Sequence, residues 1–218
     1  LDVWLAELAP IVGLTLVLSL CSTGLASLAG LPLGAMLARA DFPGKRLLRR
    51  ILETLMSLPP VVVGLLVFLL LSRRGPLGRL DLLFSLPAMI LAQFILILPI
   101  VTSLTLAAVE HKLPDIRATL LGFDLPRGTM TRLLLRECRR TLPAVVLTGL
   151  GRALSEVGAV MMVGGNIQGK TRVLTTAIML ETSRGRFSAA LALGAVLLLL
   201  SFVINGLLGL LREATVDA

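Results

Sequence analysis

The sequence predicts an all-α membrane protein with five transmembrane helices, and three observations carry that prediction. Five apolar runs, near 8–38, 51–72, 84–109, 141–164 and 187–211, reach or exceed the roughly 20 residues that cross about 30 Å of hydrocarbon as helix. The whole chain of 218 residues is 56% hydrophobic with a mean hydropathy of +0.94, whereas a soluble domain needs only one apolar face per element. Each span must satisfy its own backbone, so a helix bundle is favoured well above a barrel, whose strands would alternate polar with apolar. The chain reads as a single transmembrane domain over 1–218, with a cytoplasmic segment at about 110–140.

The first run repeats small residues every fourth position, at Ala26, Gly30, Gly34 and Ala38. Such a stripe lets two membrane helices approach closely. The second opens with Ser57-Leu58-Pro59-Pro60, where two consecutive prolines remove two backbone donors and force a break or kink. Irregular backbone at membrane depth is tolerated where it is buried in protein or lines a cavity. The third carries Gln93 and Pro99 in an apolar field. The fourth places Arg152 and Glu156 four residues apart inside an apolar stretch that ends in Gly164-Gly165-Asn166. Ionisable groups are expensive in hydrocarbon and mark bundle interiors or transport paths, although an arginine that snorkels and merely pairs with the glutamate accounts for the same residues. On a continuous helix Thr148, Arg152, Ser155, Glu156 and Ala159 share one side.

Between the third and fourth spans two short helices are expected. Leu113–Gly122 has Pro114 at a helix-start position and Gly122 as a stop, with Ile116 and Leu120 on one exposed apolar face that wants a partner groove. A second begins near Pro126 and runs into the fourth span, with Arg132, Arg136, Arg139 and Arg140 stacked for anionic lipid headgroups or a docking surface.

With five spans the termini lie on opposite sides. An external N-terminus leaves thirteen Lys and Arg inside (in the segments around 39–50 and 112–140, and Arg212) and seven outside (Arg73, Arg74, Arg79, Lys170, Arg172, Arg184 and Arg186). The positive-inside rule favours that orientation. The same loops account for the net charge of +8, and with no tyrosine and one tryptophan the basic–aromatic interleaving of a nucleic-acid surface is missing. Cys21 and Cys138 make neither a disulfide framework nor a metal pair, and the lone His111 supports neither a zinc site nor a catalytic triad. No cleavable signal peptide is expected, because Asp2 and Glu7 stand where a basic leader would be. The start at Leu1 is consistent with numbering that begins inside a longer reading frame.

Residues 164–171 spell Gly-Gly-Asn-Ile-Gln-Gly-Lys-Thr, a literal match to a phosphate-binding loop. Such a loop follows a strand and opens a helix; this one follows a membrane span and has no α/β domain around it. ATP binding here is therefore not expected. The glycine amides, Asn166, Lys170, Thr171 and Arg172 still offer donors for an oxyanion, and a plain solvated turn fits equally well.

The chain resembles the integral membrane permease subunits of type I ABC importers, and within them the branch that serves molybdate, tungstate and sulfate. The resemblance covers nearly the whole chain. It rests on Phe42-Pro43-Gly44, on Ser57 to Gly64, on Gly75-Pro76-Leu77-Gly78, and on Ile116-Arg117-Ala118-Thr119-Leu120-Leu121-Gly122 at the position of the family's Glu-Ala-Ala-x-x-x-Gly loop. Ile116 and Arg117 depart from that loop, while Ala118 and Gly122 fit it. The run Arg152 to Ala159, Gly164 to Gly169 and Thr171 to Gly185 is most similar to tungstate permeases. The resemblance implies a permease core in the plasma (inner) membrane that is not itself an enzyme and holds no cofactor or metal. It implies four kinds of partner: a second copy, two ATPase subunits that use ATP and magnesium, an external binding protein, and the bilayer. ATPase coupling falls to Pro114, Asp115, Ile116, Arg117, Ala118, Leu120 and Gly122. The translocation path or gate falls to Thr148, Arg152, Ser155, Glu156, Gly158, Gly164, Gly165 and Asn166. A molybdate or sulfate permease is the alternative within the family. A stand-alone channel or secondary transporter is the alternative outside it, though paired internal repeats are not seen.

Overall fold

The computed structural model describes residues 2–119 and 127–216, and within them the fold is all-helical. Three helices are long and apolar enough to cross a membrane unbroken: α1 (Asp2–Arg39), α4 (Leu86–Thr119) and α9 (Phe187–Val216). Two bent pairs complete the set. In the first, α2 (Lys45–Met56) meets α3 (Pro60–Leu71) at 95°; in the second, α6 (Leu142–Leu154) meets α7 (Gly158–Gly164) at 57°. Two shorter helices, α5 (Arg127–Glu137) and α8 (Leu174–Ser183), lie between the others.

The small-residue stripe does its expected work inside one chain. A Cβ added to Gly30 would stand 2.9 Å from Val101, and one on Gly34 would stand 2.6 Å from the carbonyl oxygen of Thr102 and 2.7 Å from Thr105. Only the absence of a side chain lets α1 lie this close to α4. The contacts Gly30–Val101 and Gly34–Thr105, like the Ser22–Gln93 hydrogen bond, join residues 71 apart. The constant offset means that α1 and α4 run parallel, so the α2–α3 pair must carry the chain back between them. Gly149 packs on Ile97 and Val101 while Ala153 meets Gln93, so α6 runs antiparallel to α4.

These directions define two ends. At one end Lys45 donates to the carbonyl of Ala38, the last turn of α1, at 2.8 Å and pairs with Glu110 of α4 at 3.2 Å, and Arg49 pairs with the same carboxylate. There a cluster of Ala35, Ala38, Leu106, Val109, Leu113, Ile116, Leu134 and Cys138 ties α1 and α4 to α5. Burial pushes the Cys138 thiol above its ordinary range, with Lys112 pulling the other way, which suits a packing residue and not a reactive one. At the opposite end the amide of Leu174 donates to Thr15 Oγ1 at 2.9 Å, which ties the start of α8 to α1.

The second apolar run, 51–72, is the α2–α3 pair, whose two halves are apolar enough to cross only when taken together. Three other expectations need correction. Pro114 does not start a helix; it sits inside α4, which continues unbroken to Thr119. Ile116 offers no free apolar face, because it is 8% exposed and packs in the cluster with Leu134 and Cys138. The second short helix, α5, stops at Glu137, and a turn at 138–141 separates it from α6. Asp115, Arg117 and Ala118 have helical backbone; Leu120 and Gly122 lie outside the described residues.

Substituting Gly34→Ala is expected to cost about 1–3 kcal/mol by forcing α1 off α4. Gly13, which has nothing within 4 Å of an added Cβ, is the control: Gly13→Ala should not lower stability. Thermal unfolding of both variants in detergent checks this.

Candidate translocation site

Both helix breaks leave backbone groups without helical partners, and burial demands that each find another. At the first break the cause is plain in the sequence: Pro59 is extended and Pro60 occupies the first helical position of α3, where a missing N–H costs nothing. The second break, Ser155–Val157, contains neither proline nor glycine. It is held open by side chains. Glu156 Oε1 accepts the amide of Ala159 at 2.9 Å and so caps α7. The carbonyl of Glu156 accepts from Thr175 Oγ1 of α8 at 2.8 Å. The carbonyl of Ala153, at the end of α6, accepts from Gln93 Nε2 of α4 at 3.0 Å, while Ser22 of α1 reaches Gln93 Oε1 at 2.7 Å. Four helices thus converge on one interruption.

The two breaks meet in space. An added Cβ on Gly158 would stand 2.9 Å from Val61 and 3.6 Å from Pro60, and one on Gly64 would stand 2.7 Å from the Cα of Ala159. The half-helices α3 and α7 therefore pack backbone to backbone immediately after their respective kinks.

Arg152 and Glu156 form the expected contact, with Arg152 NH2 3.4 Å from Glu156 Oε2. They differ in environment. The Glu156 side chain is 2% exposed and that of Arg152 32%. Glu156 Oε2 is buried with no hydrogen bond among the described residues, and its ion-pair partner there is Arg152. Thr148 and Ser155 are exposed on the same side of α6 and bond only to their own helix, at Ala144 and Arg152 carbonyls. This leaves a polar strip, with a guanidinium in it, on the open flank of an apolar bundle.

Gly164, Gly165 and Asn166 do not join this group. They lie at the far end of α7, about 10 Å along its axis. Gly164 abuts Met89, and Gly165, at φ +68°, abuts Phe84. The loop that follows is not a phosphate cradle. The amides of Lys170, Thr171 and Arg172 all point at the carbonyl of Ile167, at 2.9–3.1 Å. Thr171 Oγ1 is buried, donates to the carbonyl of Gly164 at 2.5 Å and accepts from Ile167, and Arg172 bonds to Asn166. Most of these donors are used within the turn, while Lys170 Nζ has no hydrogen bond or ion pair among the described residues.

Residues 30–216 match the family of binding-protein-dependent transport system inner membrane components. The chain belongs to that family. The permease is 42% identical over 205 residues to the tungstate uptake system permease protein TupB of Peptoclostridium acidaminophilum, covering 93% of this chain and 89% of that one. It is 40% identical to a probable anion ABC transporter permease protein of Haloferax volcanii, covering 98% and 94%. The molybdenum transport system permease protein ModB of Escherichia coli is 33% identical, covering 79% of this chain and 82% of its own. The permease is a transport subunit and not an enzyme, as its family is.

Sequence reasoning missed Thr175 and underrated Gln93. A lone amide in an apolar span signals a buried acceptor elsewhere, but its partner, a carbonyl 60 residues away, cannot be read from spacing. Glu156→Ala is expected to lose about 1–3 kcal/mol by orphaning the Ala159 amide, and Glu156→Gln, which keeps an acceptor there, less than half of that. Chemical unfolding in detergent ranks the two. The reverse order would show that charge and not capping holds the break.

Proposed function

We propose that the permease carries a tetrahedral oxyanion, tungstate before molybdate or sulfate, through a pore between two copies of itself. The observation that supports this best is the polar strip of Thr148, Arg152 and Ser155 on the open flank of α6, beside the paired breaks. A dianion crossing hydrocarbon needs a wet, dipole-rich route, because a bare buried charge costs several kcal/mol. Two-fold pairing would set one strip against the other and double each donor. Arg152 would then trade between Glu156 and the passing anion. Glu156 and Gly158 hold the break, while Gly164, Gly165 and Asn166 close the outer end of α7. The choice of tungstate leans on TupB; molybdate has the weaker support of ModB.

In this reading an external binding protein delivers the anion and the N-terminus lies outside. Two ATPase subunits, which hold ATP and magnesium, grip the basic end around Pro114–Gly122 and α5. Their closure rocks the two bundles between inward-open and outward-open states.

The test is uptake into proteoliposomes containing the permease, its ATPase and its binding protein. Tungstate uptake is expected to require all three and ATP, and Arg152→Ala is expected to cut it at least tenfold at equal incorporation. Flux without ATP would overturn the importer reading. Sulfate uptake without tungstate uptake would overturn the substrate.

A further inference from the structure

The two breaks differ in what makes them. Pro59 and Pro60 interrupt the ladder between α2 and α3 themselves, since neither has an amide hydrogen to give. Between α6 and α7 no such residue stands, and Ser155, Glu156 and Val157 are all compatible with helix. Gly158 follows the break, where its bare backbone serves the contact with Val61. A kink without proline arises where side chains insert into the hydrogen-bond ladder. In an unbroken helix the carbonyls of Ala153, Ser155 and Glu156 would accept the amides of Val157, Ala159 and Val160, each four residues on. Gln93 Nε2 sits on the first of these carbonyls at 3.0 Å, and Thr175 Oγ1 on the third at 2.8 Å. The Ala159 amide goes to the Glu156 carboxylate at 2.9 Å. Three of the bonds that would straighten the pair are thus displaced by side chains.

The two outside donors come from elements fixed elsewhere. Gln93 is buried on α4 and bonded to Ser22 of α1. Thr175 is buried in the first turn of α8, where the Leu174 amide is fastened to Thr15 of α1. The half-helix α7 packs backbone to backbone on α3 through Gly64 and Gly158. A change of bend therefore moves α6 relative to α7, and Arg152, in the last turn of α6, moves with it.

We propose that Gln93 and Thr175 are positioning residues for transport. They keep the α6–α7 pair bent at 57° by occupying carbonyls that a straight helix would reclaim, and so set where Arg152 stands. A shift of α4 or α8 against α6 releases those carbonyls, the pair straightens, and Arg152 changes place, which makes the break a hinge set by tertiary contacts. The inference rests on the reading of Arg152 as part of the path and adds what controls its position.

Thr175→Val keeps the shape of the side chain and removes the hydroxyl, which leaves the Glu156 carbonyl unpaired unless the Val160 amide takes it; Thr175→Ser keeps the hydroxyl. With Cys21→Ser as background, spin labels on Thr141→Cys, at the start of α6, and Ile167→Cys, just beyond α7, report the bend in the full chain assembled with its ATPase. Thr175→Val combined with Gln93→Met is expected to lengthen the distance between the labels by a few ångströms, and Thr175→Ser to leave it unchanged. In proteoliposomes with ATPase and binding protein, Thr175→Val is expected to cut tungstate uptake several-fold per incorporated permease, and Thr175→Ser to restore most of it. An unchanged distance in the double variant would overturn the proposal. So would a longer distance with normal uptake, or an equal loss of uptake in Thr175→Val and Thr175→Ser, which would mean packing and not the hydroxyl. Intact uptake in Arg152→Ala would sink the reading of the path, while the label distances, which do not involve the cargo, still decide whether the two side chains hold the bend.

Discussion

A helix interrupted inside an apolar bundle must hand its orphaned amides and carbonyls to some other part of the chain, and the architecture of this permease follows from how it does so. The interruption at Ser155–Val157 draws in Gln93 from α4, Thr175 from α8 and the carboxylate of Glu156 itself. Water is not at hand to satisfy such groups in hydrocarbon, so the surrounding helices must keep their positions for the break to persist. The break in turn fixes where Arg152 stands. The cation proposed for the path and the carboxylate that caps α7 are thus parts of one arrangement.

Close packing makes that arrangement possible. Glycine at 30, 34, 64 and 158 brings backbones into contact at two places, α1 against α4 and α3 against α7. The first joins two long parallel helices into the spine of the fold. The second joins two short half-helices just past their kinks. Apolar side chains give little net attraction between helices in lipid, so tight contact and interhelical hydrogen bonds must do the work of cohesion. The Ser22–Gln93–Ala153 chain supplies such bonds across three helices.

The division between what was readable in the residues and what was not has a physical origin. Spans, the proline break, the glycine stripe and the Arg152–Glu156 contact all depend on local composition or on spacing of four, and the structure bears these out. The family follows from runs of residues extending over nearly the whole chain. Tertiary partners were not readable. Nothing near Leu113–Thr119 announces that Ile116 finds Leu134 and Cys138, and that burial turns an expected free helix into the tail of α4. The 164–172 loop is similar, because its sequence lists donors without showing that three amides and the Thr171 hydroxyl turn inward to Ile167 and Gly164.

The brevity of α3 places a demand on α2. Twelve residues of helix span about 18 Å, well short of a hydrocarbon layer near 30 Å. α3 alone is too short for the crossing, so α2 must supply the rest of its length. The joint between them, at Pro59 and Pro60, then falls part-way through the layer, where one crossing is made of two rigid pieces that can change their mutual angle without either helix unwinding.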